Sequence, residues 1–253
     1  MVEVRNVSKQ YGGGKVVLEE TSVTIQKGKI TSFIGPNGAG KSTLLSIMSR
    51  LIKKDSGEIY IDGQEIGACD SKELAKTMSI LKQANQINIR LTIKDLVSFG
   101  RFPYSQGRLT EEDWVHINQA LSYMKLEDIQ DKYLDQLSGG QCQRAFIAMV
   151  IAQDTDYIFL DEPLNNLDMK HSVEIMKLLK RLVEELGKTI VIVIHDINFA
   201  SVYSDYIVAL KNGRIVKEGP PEEMIETSVL EEIYDMTIPI QTIDNQRIGV
   251  YFS

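Results

Sequence analysis

The sequence predicts an α/β fold: a mostly parallel core sheet, an antiparallel β-subdomain at the N-terminus and an inserted helical subdomain. Three observations predict it. Residues 157–160 and 189–194 are near-continuous apolar runs, the pattern of parallel strands buried on both faces. From about Asn85 to Gln153 strand runs disappear and helical patterning dominates. Between an apolar strand at 30–34 and a helix beginning at Lys41 lies a glycine-rich stretch, residues 35–42.

The elements follow in order. Val2, Val4 and residues 5–7 alternate loosely, and Val23 with Ile25 continues the strand pattern up to a turn at Lys27-Gly28. The helix from Lys41 carries Leu44, Met48, Leu51 and Ile52 on one face. Asp62-Gly63 and Asn212-Gly213 are each flanked by short apolar runs and read as hairpin turns. A helix over 111–124 opens with a Thr110 cap and acidic residues in its first turn, which favour the positive end of the helix dipole. Ile175, Leu178, Leu179, Leu182, Val183 and Leu186 stripe another helix. The end of the chain reads as a helix followed by short extended pieces, either a packed cap or a regulatory contact. The resulting division is 1–84, the first part of the sheet core; 85–153, the helical subdomain; 154–223, the second part of the core; and 224–253, a C-terminal extension.

Length and composition bound the function. The chain has 253 residues, enough for one large domain or a domain with a subdomain, and is 43% hydrophobic and 25% charged. Its net charge of −7, with no basic stripe, argues against nucleic acid as a partner. Cys69 and Cys142 lack metal-site spacing and suggest neither a disulfide framework nor an oxidising compartment. The start of the chain has no basic-then-apolar leader, and no apolar run is long enough to cross a membrane. If the protein drives transport, the pore belongs to other subunits.

Gly35-Pro36-Asn37-Gly38-Ala39-Gly40-Lys41-Ser42 fits G-x-x-x-x-G-K-S between a strand and a helix, which makes the fold a P-loop NTPase. The glycines let backbone amides approach phosphates, and the helix N-terminus adds a field that favours anions. Lys41 is expected to reach the β- and γ-phosphates of ATP. Ser42 is expected to ligate Mg²⁺, with Thr43 near the α- and β-phosphates. The strand at 157–160 ends in Asp161 and Glu162. Such a pair alone is often a solvated loop. With a phosphate loop upstream, Asp161 suits a metal held through water and Glu162 a general base for the attacking water.

Leu137-Ser138-Gly139-Gly140-Gln141, together with these motifs, resembles the nucleotide-binding subunit of an ATP-binding-cassette (ABC) transporter, and the resemblance runs from Val2 to about Glu223. It implies a head-to-tail homodimer in which each ATP lies between Lys41 of one copy and residues 138–141 of the other. The glycine amides at the start of the helix over 139–152 would present donors and a positive dipole end to the γ-phosphate. By the same resemblance Tyr11 stacks on adenine and Gln83 ligands Mg²⁺ and couples the site to a membrane subunit. His195 contacts the γ-phosphate, and Asn165-Asn166-Leu167-Asp168 crosses to the partner copy. Lys82 stands where proline is common, and Asn165-Asn166 where Ser-Ala is usual; Cys142 and Ala148-Met149-Val150-Ile151-Ala152 also depart from the common pattern. His116 and His171 read as surface residues on helices, and the methionines as core filler.

Gly100-Arg101-Phe102-Pro103-Tyr104 resembles a segment of importer ATPases for ferric siderophores, haem and cobalamin. The implied function is ATP hydrolysis powering import of an iron(III)–siderophore complex, with haem, cobalamin or another metal chelate as the alternative cargo. The implied partners are integral membrane permease subunits and, indirectly, an extracytoplasmic substrate-binding protein, with this chain on the cytoplasmic face of the membrane. A soluble ABC ATPase of iron–sulfur cluster assembly is a rival reading. Nucleic-acid or ribosome-associated ABC proteins usually carry two cassettes or a long coiled coil, and this chain has neither.

Overall fold

In the computed structural model, which describes residues 1–12, 14–83 and 89–251, the chain divides into two units, Met1–Cys69 with Lys180–Ser253, and Asp70–Leu179. The first unit opens with β1 (Val2–Tyr11), β2 (Lys15–Ile25), β3 (Ile30–Ile34), α1 (Lys41–Met48), β4 (Ser56–Ile61) and β5 (Gln64–Glu65). The second contains α2 (Ser71–Thr77), β6 (Met78–Leu81), α3 (Ile93–Ser98), α4 (Phe102–Ser105), α5 (Glu111–Tyr123), α6 (Gly139–Ala152) and β7 (Tyr157–Asp161). Helix α7 (Met169–Leu186) leaves the second unit at Leu179. The chain then completes the first unit with β8 (Thr189–Val193), α8 (Ile197–Tyr203), β9 (Tyr206–Lys211), β10 (Arg214–Gly219), α9 (Pro221–Met224), α10 (Thr227–Tyr234), β11 (Ile240–Ile243) and β12 (Gln246–Gly249).

The apolar runs form strands buried along their whole length: β3, β7 and β8 have no exposed residue. In the first unit β3 lies between β8 and β9, parallel to both, with Ile30 opposite Ile190 and Ile34 opposite Ala209. β10 returns antiparallel to β9. β1, β2, β4 and β5 form a separate antiparallel sheet. In the second unit β6 and β7 run parallel, with Leu81 opposite Leu160. The strands therefore carry Lys41, His195, Gln83 and Glu162 to their ends, where loops can present them. The boundary expected between 84 and 85 falls outside the described residues.

Local chemistry sets the turns. Asp62 and Gly63 both have positive φ (47° and 82°), as do Asn212 and Gly213 (51° and 79°), which matches the twist of the strands they join. Asp244 and Asn245 do the same at 48° and 62°, so the extended pieces at the C-terminus pair as the hairpin β11–β12. Helix α1 is shorter than its apolar pattern suggests. It ends at Met48 because Arg50 turns left-handed at φ 60°, and the N–H groups of Leu51 and Ile52 both donate back to the Ser46 carbonyl. Leu51 is left exposed, and the Arg50 guanidinium instead holds the carbonyls of Ile66 and Cys69.

Gly100 and Arg101 have structural work in the second unit. A Cβ on Gly100 would sit 2.2 Å from the Met149 carbonyl oxygen, so only glycine lets this turn approach α6. Arg101 Nε donates to Asp113 Oδ1 at 2.9 Å, and its Nη1 donates to the Ala152 carbonyl at the C-terminus of α6 at 3.1 Å. Tyr104 covers the guanidinium at 4.0 Å. The C-terminal hairpin is tied to α8. Asn198 Nδ2 donates to the Gly249 carbonyl and Asn198 Oδ1 accepts the Gly249 N–H, at 3.2 and 2.7 Å, pinning the hairpin to α8.

Candidate active site

The phosphate loop is built in the first unit. Gly35, Gly38 and Gly40 have φ of 134°, 78° and 100°, conformations that L side chains rarely adopt. A Cβ on Gly35 would lie 2.0 Å from the Leu210 carbonyl oxygen, and one on Gly40 would lie 2.8 Å from that of Val17. Pro36, Asn37 and Gly38 form the more open tip, while Ala39 and Gly40 are buried beneath it. Lys41 is itself buried, and its Nζ donates to the carbonyls of Gly35 and Pro36 at 2.7 and 2.9 Å. That places the ammonium inside the turn of the loop. Ser42 and Thr43 follow, half-buried, in the first turn of α1.

Two contacts come from far along the chain. The Gly213 N–H donates to the Ala39 carbonyl at 3.1 Å, and the Gly35 N–H donates to the Tyr234 hydroxyl at 3.1 Å. Burial pushes the Tyr234 hydroxyl up to about 12, against the effect of the Gly35 N–H, so it stays neutral in the physiological range. Tyr11 closes β1 with 43% exposure, its ring 5.7 Å from Lys9 Nζ. His195 is exposed directly beyond buried Ile194, and Asp196 caps α8 behind it by accepting the N–H groups of Asn198 and Phe199.

The second unit gathers the acidic pair, the glutamine, the loop after β7 and the signature. Asp161 is buried at the end of β7, and Glu162 follows in left-handed backbone at φ 51°. Gln83 Nε2 donates to Glu162 Oε2 at 2.7 Å. Asn165 Nδ2 donates to the same oxygen at 2.6 Å. Asp168 opens α7: its Oδ1 accepts the His171 N–H and meets His171 Nδ1, each at 2.8 Å. The His171 N–H, the carboxyl's main partner, holds the Asp168 carboxyl below its usual range.

The signature starts a helix by its own chemistry. Ser138 Oγ accepts the Gln141 N–H at 3.2 Å while Gln141 Oε1 accepts the Ser138 N–H at 3.0 Å, a reciprocal capping box. Ser138 and Gly139 are exposed at this N-terminus. Gln143 Nε2 donates to the Pro163 carbonyl at 3.0 Å, tying the helix to the loop that carries Glu162. A Cβ on Gly140 would meet Leu167 at 3.4 Å, so the residues after the acidic pair back the signature.

The sequence does not mark Tyr234, nor the contacts of Asn165 and His171. Tyr234 acts 199 positions from Gly35, and no local pattern announces such a contact. Asn165 reads in the sequence as part of a loop that crosses to the partner copy, and the structure adds its bond to Glu162. His171 had a visible signal, since its place three residues after Asp168 is the spacing of a helix cap.

A family model described as ABC transporter matches residues 18–165, more than half of the chain. The chain is 99% identical over 253 residues to the petrobactin import ATP-binding protein YclP of Bacillus subtilis (strain 168), covering all of both chains. It is 48% identical to the petrobactin import ATP-binding protein FatE of Bacillus anthracis, over 99% of this chain and 100% of the other. Among solved structures, the dimeric post-hydrolysis state of the ATP-binding cassette MJ0796 bound to ADP and Pi matches with a TM-score of 0.79 and 36% identity, over 87% of this chain and 99% of that one. The match of the family model over more than half of the chain, with these whole-length relatives, shows that the chain belongs to the ABC transporter family, as an ATP-binding cassette.

Proposed function

We propose that the chain is the ATP-hydrolysing subunit of a membrane importer for iron(III)–siderophore complexes, with ferric petrobactin as the cargo. Whole-length identity of 99% to a protein named for petrobactin import carries this reading, because a cassette that rarely touches cargo has little sequence with which to declare it.

The residues fit ATP and Mg²⁺. A Cβ at Gly35 or Gly40 would collide with the Leu210 or Val17 carbonyl, so glycine is what lets the loop take the tight path that turns its amides inward. Lys41, Ser42 and Thr43 sit at the positive end of α1, where phosphate charge is stabilised. Ser42, Gln83 and Asp161 offer hydroxyl, amide and carboxylate oxygens, the hard donor set that Mg²⁺ takes, and a bound Mg²⁺ would neutralise charge on the phosphates. Tyr11 offers an exposed ring face for the base. Glu162 holds and deprotonates the attacking water, and His195 contacts the γ-phosphate from the end of β8.

The start of α6 is exposed at Ser138 and Gly139, where the positive end of the helix favours an anion. We assign it the ATP of a second copy, so ATP joins two cassettes and hydrolysis releases them. No helix among the described residues is long and apolar enough to cross a membrane. Passage therefore falls to permease subunits, on whose cytoplasmic face this chain works, with an extracytoplasmic binding protein delivering the cargo.

Deleting the gene and testing growth on single ferric siderophores checks the reading. Growth on ferric petrobactin should be lost and restored by the wild-type gene, but not by Glu162→Gln. Purified Glu162→Gln should bind ATP, favour the dimer and lose at least about a hundredfold in turnover; Lys41→Ala should instead weaken ATP binding. Uniform growth of the deletion strain on every siderophore overturns the assignment.

A further inference from the structure

Glu162 is gripped from within its own loop. Its backbone is left-handed, its carbonyl accepts the Asn165 N–H at 3.2 Å, and its Oε2 accepts the Asn165 side-chain amide at 2.6 Å. Asn165 thus binds Glu162 twice, through main chain and side chain, across the short turn of Pro163 and Leu164. The proline ring fixes φ at its own position, so the turn has little freedom to carry Asn165 away. Gln143 adds a hold on the same turn by donating to the Pro163 carbonyl at 3.0 Å. The other donor to Oε2, Gln83, comes from a distant stretch of chain at 2.7 Å.

We propose that Asn165 is a positioning residue for the hydrolytic carboxylate: its amide fixes one oxygen of Glu162 and keeps the group aimed. The inference rests on the reading of Glu162 as general base. A base must be correctly placed against the water it serves, and misplacement of about 1 Å can cost about a hundredfold in rate. A neutral N–H donor holds the carboxylate without adding charge that would attract or repel the phosphates. The i, i+3 turn supplies this donor before any nucleotide or second copy arrives.

The test compares Asn165→Ala and Asn165→Asp with the wild-type full chain, reading kcat, KM for ATP and the thermal midpoint. Asn165→Ala should lower kcat about tenfold and leave KM within about twofold, since the phosphate contacts are untouched. Asn165→Asp keeps the size of the side chain but removes the donor, so kcat should fall at least as far while KM stays within about twofold. A merely structural role would make kcat follow the thermal midpoint rather than the donor. A kcat within about twofold of wild type in Asn165→Asp, or a loss in Asn165→Ala that lies wholly in KM, overturns the proposal. Glu162→Gln, run alongside, separates the two readings: if it retains turnover the base assignment itself fails, whereas an inactive Glu162→Gln beside unaltered Asn165 variants rejects only the positioning role.

Discussion

Arg101 and Asp113 meet with 5% and 4% of their side chains exposed, and each is satisfied by several partners. Burial pushes the Asp113 carboxyl upward, but hydrogen bonds from the Thr110 N–H and hydroxyl, at 2.9 Å each, and from Arg101 outweigh it and hold the carboxyl below its ordinary range. A lowered carboxyl stabilises the fold above the unfolded value of about 4 and loses that contribution as pH falls through the folded value. Arg101→Ala leaves a buried carboxylate without its cation and should cost about 4 kcal/mol at pH 7. Urea denaturation would show it, and the gap from wild type should narrow as pH falls through the folded value of Asp113, which lies below the ordinary carboxylate range. A gap that stays constant with pH would assign the loss to packing. The sequence marks this arginine through a segment that resembles one of importer ATPases, and its geometry is that of a strut between α5 and α6.

Helix α6 shows the same overlap at the level of an element. Ser138 and Gln141 make the box that begins the helix, and they are also residues of the signature. Ser138→Ala should therefore do two things: lower stability by about 1 kcal/mol through the lost cap, and lower ATPase activity far more than that loss explains. Ser138→Thr, which can still cap, should recover the stability; thermal melts beside turnover assays would separate the effects. This element is legible in the sequence through its signature motif, and the hairpin turns and the strands that precede the phosphate loop and Glu162 are legible because their signals are local. Elsewhere local signals misled or fell silent. Leu51 and Ile52 continue the pattern of α1, but Arg50 breaks the backbone before them. The hairpin β11–β12 turns on Asp244-Asn245, which lacks the glycine that announces such turns. Asn165 and Tyr234 gain their places through side-chain contacts that neither periodicity nor motif encodes.

At the scale of the molecule, the first unit is assembled from both ends of the chain, Met1–Cys69 and Lys180–Ser253. Its phosphate loop is walled by Leu210, by Gly213, which also accepts the Glu19 N–H at 2.9 Å, and by Tyr234. Such long-range closure is slow to form and all-or-none in character. A chain ending at residue 205 should fail to bind a fluorescent ATP analogue although residues 35–42 are intact, while Tyr234→Phe in the full chain should bind it with reduced stability, by about 2 kcal/mol, because the Gly35 N–H loses its acceptor. Retained binding by the shorter chain would show that the loop folds alone. The Gly35 N–H finds its acceptor only when α10 has been synthesised, 199 residues further along the chain, so an unfinished product carries the nucleotide motif before the groups that brace its loop exist.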